Sequence, residues 1–456
     1  MIDPGPGLFA LSRMALQDAK FNAEGRLKGS PRRADALAGF DRATAKLDSL
    51  FSTTRATQAT YAVVLAGGAR LALGHLTDHR AKPAVPFGGK FRIIDFALSN
   101  CVNSGIRRIG VATQYKAQSL IQHLKCGWSF LDGRFGEFVD VLPAQQRLED
   151  HWYRGTADAV YQNLDLLRRS EPELVLVLAG DHIYKMDYGR LIEAHLNKSA
   201  DMMVACLETS IGEARAFGVM GIGADWRVVR FTEKPARPEP IPGRPETALV
   251  SMGIYVLSAS FLYEQLARDA ADAKSSHDFG KDLIPYAVPR FRVFAHPFAE
   301  SCIGSLYWRD VGTLDAYWEA NMELTRAAPD LDIYDGRWPI WTHQEQLAPA
   351  KFTRLENGAG VTDSLVSSGC LVTEGTVRRS VLFSNVSIAE HSVVEDSVLL
   401  PDVEIGRHVH LRQVIVDKRC RIPDGLRVGF DPELDRRRFH VSETGVTLIM
   451  PIMLGQ

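Results

Sequence analysis

The chain has 456 residues, 46% hydrophobic and 24% charged, with a net charge of −2. That length asks for two or three domains, and the near-neutral balance excludes binding to nucleic acid or an anionic membrane through bulk charge, so neither partner is expected. No apolar run is long enough to span a bilayer, and the six cysteines form no C-x-x-C pair, which removes a zinc site and points to free thiols in a reducing, cytoplasmic setting.

Residues 1–60 lack the apolar stretch of a secretory signal, and Asp3, Asp18, Glu24, Asp35, Asp41 and Asp48 set them apart from an acid-poor transit peptide. They read as a partly helical N-terminal extension with no assigned role. Residues 61–330 alternate strand-like runs (62–65, 109–113, 174–178, 202–207, 250–257) with helical patterns, such as 157–169 behind Thr156 and 314–324 behind Thr313. The alternation predicts a Rossmann-like α/β domain with a mostly parallel sheet, its ligands at the carboxyl ends of the strands. Segment 331–360, with Trp338-Pro339, Ala348-Pro349 and Asn357-Gly358, reads as an ordered linker.

Residues 361–456 repeat. Leu371, Ile388, Ile405 and Ile422 are spaced by 17 residues, and Val377, Val394, Leu411 and Val428 follow them in phase, with Gly375, Ser392, Val409 and Leu426 between. One such unit cannot bury its own apolar face, so coils must stack. A parallel β-helix is predicted in preference to an ordinary sandwich, with residues 431–456 as its cap.

Several segments suit phosphate and metal chemistry. The run 62–65 ends in Ala66-Gly67-Gly68, where a glycine pair lets backbone N–H groups face a phosphate or simply makes a tight turn. The cations Arg80, Lys82, Lys90 and Arg92 follow. Asp181 closes the apolar run 174–178 plus Ala179-Gly180, a place for an Mg2+ ligand or a helix cap. Asp310 precedes a predicted helix and carries the same two readings. Glu233 and Lys234 suit a sugar hydroxyl and a phosphate, or make a solvated pair before Pro235. The polar loop 275–282 is a candidate cleft wall, with His277 expected at the surface rather than on a metal. No covalent-catalysis motif is present.

These segments together resemble the bacterial glucose-1-phosphate adenylyltransferases. The resemblance runs from about residue 62 to 448 and includes RAKPAVPFGGKFRIIDFALSN (80–100), SGIRRIGVATQYKAQSLIQHL (104–124), WYRGTADAVYQN (152–163), LAGDHIYKMDY (178–188), FGVM (217–220), EKPA (233–236), SMGIYV (251–256), SSHDFGKDLIP (275–285) and YWRDVGTLDAYW (307–318). It implies a nucleotidyltransferase domain followed by a left-handed parallel β-helix. It also implies a reaction of ATP with glucose 1-phosphate that gives ADP-glucose and diphosphate, for glycogen synthesis.

By the same resemblance, Asp181 and Asp310 would hold Mg2+ and Lys82 would face the triphosphate. Tyr153, Gly218, Glu233, Lys234 and Ser251 would hold glucose 1-phosphate. Ala66, Gly67, Gly68, Gln114, Gly155 and Thr156 would line the nucleotide. A small anionic allosteric effector would bind between the domains near His79, Arg80, Pro86, Arg92, Arg169 and Lys418, and the assembly would be a homotetramer. One departure stands out. The family's loop continues from the glycine pair with a third glycine and an arginine, whereas this chain has Ala69, Arg70, Leu71 and Ala72. Aligned without gaps, alanines replace the loop arginines; with a gap, Arg70-Leu71 stands for the Arg-Leu pair. The departure supports an alternative, a catalytically weak paralogue serving as a regulatory or structural subunit, in a hetero-oligomer with an active one. An acyltransferase built on the β-helix would leave the α/β motifs unexplained.

Overall fold

Strand Thr60–Leu65 shows how the first domain is built. Ala62 and Val64 pack into one apolar core with helix Ile93–Asn103, while Tyr61 and Val63 pack into a second core on the other face. Alternate side chains buried on both sides require a sheet covered on both sides. The computed structural model describes residues 6–26, 33–68, 73–145, 151–353 and 360–456. Ala69, Arg70, Leu71 and Ala72, and Asn357-Gly358 of the linker, lie outside the described residues.

The sheet has nine strands. Its parallel half runs in the order Phe138–Pro143, Arg108–Thr113, Thr60–Leu65 and Leu174–Ala179. The long strand Thr247–Ser258 then joins antiparallel. It carries the hairpin Gly218–Ile222/Val228–Glu233 on one side and Met202–Ser210, paired in turn with Val293–Pro297, on the other. Helices Pro6–Arg26 and Arg33–Gln58 pack together ahead of the sheet. The second of these docks on the domain through buried Ala56 and Thr57.

One helical expectation fails. The pattern 157–169 forms two short helices, Thr156–Tyr161 and Leu164–Arg169. The break falls at Asn163, whose side-chain amide donates to Ala159 O and to the Tyr153 hydroxyl. Nor does Thr156 act as the N-cap, a position held by Gly155. Thr313 does cap its helix, accepting from Ala316 N.

Residues 351–449 wind into three stacks of short parallel strands, the coils of a β-helix. Ile388, Ile405 and Ile422 stack inside as expected, but Leu371 does not. Val372 lies over Ile388, and Leu371 is 42% exposed. The step from Val372 to Ile388 is one residue shorter than those from Ile388 to Ile405 and from Ile405 to Ile422, and a one-residue slip turns a strand side chain to the opposite face. Strand Thr447–Ile449 extends the third stack, and helix Pro432–Arg438 lies over the end.

The two domains share an apolar core. Leu76, Val85, Phe87, Tyr317 and Leu324 of the first meet Val381, Phe383, Val398 and Ile415 of the β-helix. At its rim Arg80 Nη2 donates to both Asp417 oxygens at 2.7 Å, both side chains being nearly fully buried. Removing one partner of such a pair strands a buried charge, at about 3–5 kcal/mol. Asp417→Ala is therefore expected to lower the thermal unfolding midpoint by several degrees. Arg80→Met/Asp417→Ala should recover part of the loss in the same scan, and a double variant no more stable than the single one would contradict this account.

Candidate active site

The parallel strands end on one edge, and the predicted site residues collect there. Leu65 leads into Ala66, whose N–H donates to Ala112 O. Gly67 lies against Gln114, where a Cβ would come within 3.3 Å of it. The Gln114 amide donates to Tyr153 O, and its Oε1 is buried with no partner among the described residues, a free acceptor facing this wall. The Tyr153 hydroxyl is already engaged, donating to Leu142 O and accepting from Asn163. Tyr153 thus joins the Gln114 side as wall, rather than offering a free hydroxyl beside Gly218 and Glu233.

Asp181 follows strand Leu174–Ala179 after the single residue Gly180. Asp310 ends strand Trp308–Asp310, which pairs antiparallel with His182–Tyr184 in a register that sets Asp310 opposite His182. That ribbon joins the two aspartates. Between them lies Lys82, at the start of the short turn Lys82–Ala84. Its Nζ is 2.6 Å from Asp310 Oδ1 and 3.0 Å from Asp181 Oδ2. Burial pulls the lysine down, but the two carboxylates outweigh it and raise it above its ordinary value. Burial would raise Asp181; Lys82 and His182 overcome this and hold it at about 2. Donor atoms of Asp181, His182 and Asp310 all lie within 4.8 Å of one another. Two ionised carboxylates are hard oxygen donors and fit Mg2+.

The sequence reading missed His182. Its ring meets Trp308 edge-on at 4.9 Å, and Trp308 meets Phe217 at 5.2 Å. This aromatic row joins the wall of Asp181 and Asp310 to the segment that holds Gly218. The only local signal was the position of His182 beside an acid at a strand end.

A second wall carries the carboxylate Glu233. A Cβ on Gly280 would fall 2.4 Å from Glu233 Oε2, and one on Gly218 2.9 Å from it. Burial raises Glu233 above the usual carboxylate range, opposed by Lys234 and reinforced by Asp278. Lys234 Nζ lies 3.7 Å from Glu233. The Lys234 backbone has φ 46°, a left-handed conformation costly for a residue with a Cβ, and strain of this kind gathers at ligand sites. Ser251 sits where the strand Thr247–Ser258 bulges, its hydroxyl accepting from Gly253 N.

Loop 275–282 joins the two walls. Thr156 Oγ1 donates to Asp278 and accepts from Phe279 N. His277 is buried and paired with Asp269 at 2.9 Å, contrary to the expected surface position, because its carbonyl must receive Ala157 N at the start of the helix above.

Of the proposed effector residues, Arg80, Arg92 and Lys418 come together. Lys418 is lowered by burial and then by Arg80, Arg419 and Arg92 as neighbours. Arg92 is lowered by burial and by Arg80, against the pull of Asp95. Arg80 Nε and Nη1 are buried without partners among the described residues. His79 is exposed beside Arg80. Arg169 stands apart: it is three-quarters exposed and pairs with Asp165, and its neighbour Ser170 accepts from Arg108 at the opposite end of the sheet from the cluster.

Gly155 gives a direct test of the seam between the walls. A Cβ there would sit 2.2 Å from His277 O and 2.6 Å from Ser276 O. Overpacking of this kind costs about 1–3 kcal/mol. Gly155→Ala should lower the midpoint of thermal unfolding, and an unchanged midpoint would mean the loop does not lie against this glycine.

Residues 61–327 match the nucleotidyl transferase family model, and 348–449 match a GlmU-like C-terminal hexapeptide model. The glucose-1-phosphate adenylyltransferase of Nitrosospira multiformis is 62% identical over 413 residues, 89% of this chain and 97% of that protein. The same enzyme of Methylobacillus flagellatus is 61% identical over 406 residues, 88% and 95% of the two chains. That of Dechloromonas aromatica is 60% identical over 408 residues, 88% and 92%. Likeness at this level over nearly the whole of each relative joins the hexapeptide β-helix and the aspartate-bearing sheet edge in one assignment: the chain is a nucleotidyltransferase and belongs to the glucose-1-phosphate adenylyltransferase family.

Proposed function

We propose that the chain transfers the adenylyl group of ATP to glucose 1-phosphate, giving ADP-glucose and diphosphate for glycogen synthesis. The observation that carries this reading is the convergence of Asp181, Asp310 and Lys82 at the sheet edge, beside a separate wall of Glu233, Lys234 and Ser251. The attacking phosphate oxygen is already ionised, so the site needs alignment and charge neutralisation, not a strong base. Asp181 and Asp310 would hold Mg2+, which when bound neutralises charge on the phosphates. Gln114 and the Gly67 backbone border the adenine, Glu233 accepts from sugar hydroxyls, and Lys234 neutralises the sugar phosphate. The weak-paralogue reading rested on Ala69 and Ala72, outside the described residues, and the named relatives give it no support.

The cluster of Arg80, Arg92 and Lys418 takes a small phosphorylated effector in the same proposal. Arg80 Nε and Nη1 are buried donors without partners among the described residues, and Lys418 and Arg92 lie close enough to act on it, an arrangement that favours an arriving anion. Assembly as a homotetramer would use the β-helix, where Phe352, Phe430 and Leu434 are exposed apolar side chains. A cytoplasmic location accords with six cysteines that are all free thiols. Among the described residues no helix is long and apolar enough to cross a membrane.

Two measurements test the proposal. Asp181→Asn keeps shape and removes charge, so turnover with ATP, glucose 1-phosphate and Mg2+ should fall by about a hundredfold or more with KM little changed; near-normal turnover would rule out the role. For the effector, Lys418→Gln should weaken fructose 1,6-bisphosphate, used as a probe, by roughly tenfold in calorimetry, the loss of one charged hydrogen bond. Equal affinity would place the anion elsewhere.

A further inference from the structure

We infer that the Lys82 ammonium is the resident cation of the Asp181–Asp310 pair in the nucleotide-free protein, so that the lysine and a divalent ion take these carboxylates in turn. The inference rests on the reading of the two aspartates as metal ligands and adds an order of events to it.

The geometry is that of a filled site. One nitrogen bridges the two carboxylates, at 2.6 and 3.0 Å, in a side chain only 10% exposed. Magnesium binds oxygen at about 2.0–2.1 Å. An ion bridging the same two oxygens from the lysine's side would overlap Nζ, and the two cations would repel at contact range. For such an ion to be held there, the lysine would have to withdraw. Its backbone is not free to follow, because Val85 N donates to Lys82 O and Ala84 N to Ala81 O. Release is a swing of the side chain alone.

Charge sets when that swing occurs. Asp181, Asp310 and Lys82 together carry −1. A divalent ion added to the three brings the sum to +1, with the ammonium deprived of both partners. That state is favourable only when an anion arrives to take the ammonium, and a nucleotide triphosphate is such an anion. The free protein thus masks its metal site, and the polyphosphate exchanges the lysine for the metal. His182 does not fill the site in the same way, since its Nε2 is 3.7 Å from the other Asp181 oxygen, Oδ1.

The test is binding of Mn2+ alone to the full-length protein without nucleotide, followed by the electron paramagnetic resonance signal of the free ion. Lys82→Met should bind Mn2+ at least about tenfold more tightly than wild type, the gain expected when a competing charge-assisted contact is removed. Lys82→Met/Asp310→Asn should lose that gain. Lys82→Gln, neutral and still polar, gives a second variant should the methionine fail to fold. Equal affinity in wild type and both neutral variants overturns the inference. In that case Asp310→Asn alone separates the two claims. If it abolishes Mn2+ binding, the aspartates are still the metal ligands and only the resident cation is lost. If Mn2+ binding persists, the metal assignment falls as well.

Discussion

Two carboxylates held together at the end of a sheet repel, and the rest of the site depends on how that repulsion is met. Lys82 comes from 99 positions before Asp181 and 228 before Asp310. Three distant segments are thus tied at one point by two short ion pairs in a half-buried setting, where charges interact more strongly than in open water. The ribbon between His182–Tyr184 and Trp308–Asp310 fixes the spacing of the acids, and the lysine makes that spacing tolerable. Without the cation, the same ribbon would force two anions together, which drives one carboxylate to take up a proton.

Around this point the chain builds walls from backbone packed too closely for side chains. Gly155 lies under the carbonyls of loop 275–282, and Gly280 of the same loop lies against Glu233. One loop therefore sets the distance between the wall of Gly155 and Thr156 and the wall of Glu233. Asp278 enforces this from within, accepting from Gly280 N and Lys281 N while Thr156 holds it from across the seam. The precision of such a site comes from contacts that belong to no single motif.

This explains what could be seen in the sequence. Asp181 and Gly67 were legible because a strand end followed by an acid or a glycine pair is a local pattern. The β-helix was legible because its phase repeats. Leu371 was misplaced because the coil that runs from Val372 to Ile388 drops one residue, and the face of a strand residue depends on that count. The burial of His277 was hidden because its reasons, Asp269 and the helix start at Thr156, lie outside its own segment. Arg169 was grouped with Arg80 by resemblance, and the fold puts the two at opposite ends of the sheet. His182 depended on Trp308, a partner no local reading supplies.

The segment Arg80-Ala81-Lys82 joins the two halves of the molecule most directly. Arg80 is held by Asp417 of the β-helix, Lys82 by the two aspartates, and Ala81 N between them by Lys116 O. The two charged anchors are separated by a single residue, on backbone with little freedom to absorb a shift. Arg80 therefore cannot shift against Asp417 without moving the same short segment from which Lys82 reaches Asp181 and Asp310. Coupling between sites requires an element whose arrangement both can bias. Here the element is short, buried and held at both ends, and it links Asp417 of the β-helix to the aspartate pair without involving the large apolar interface.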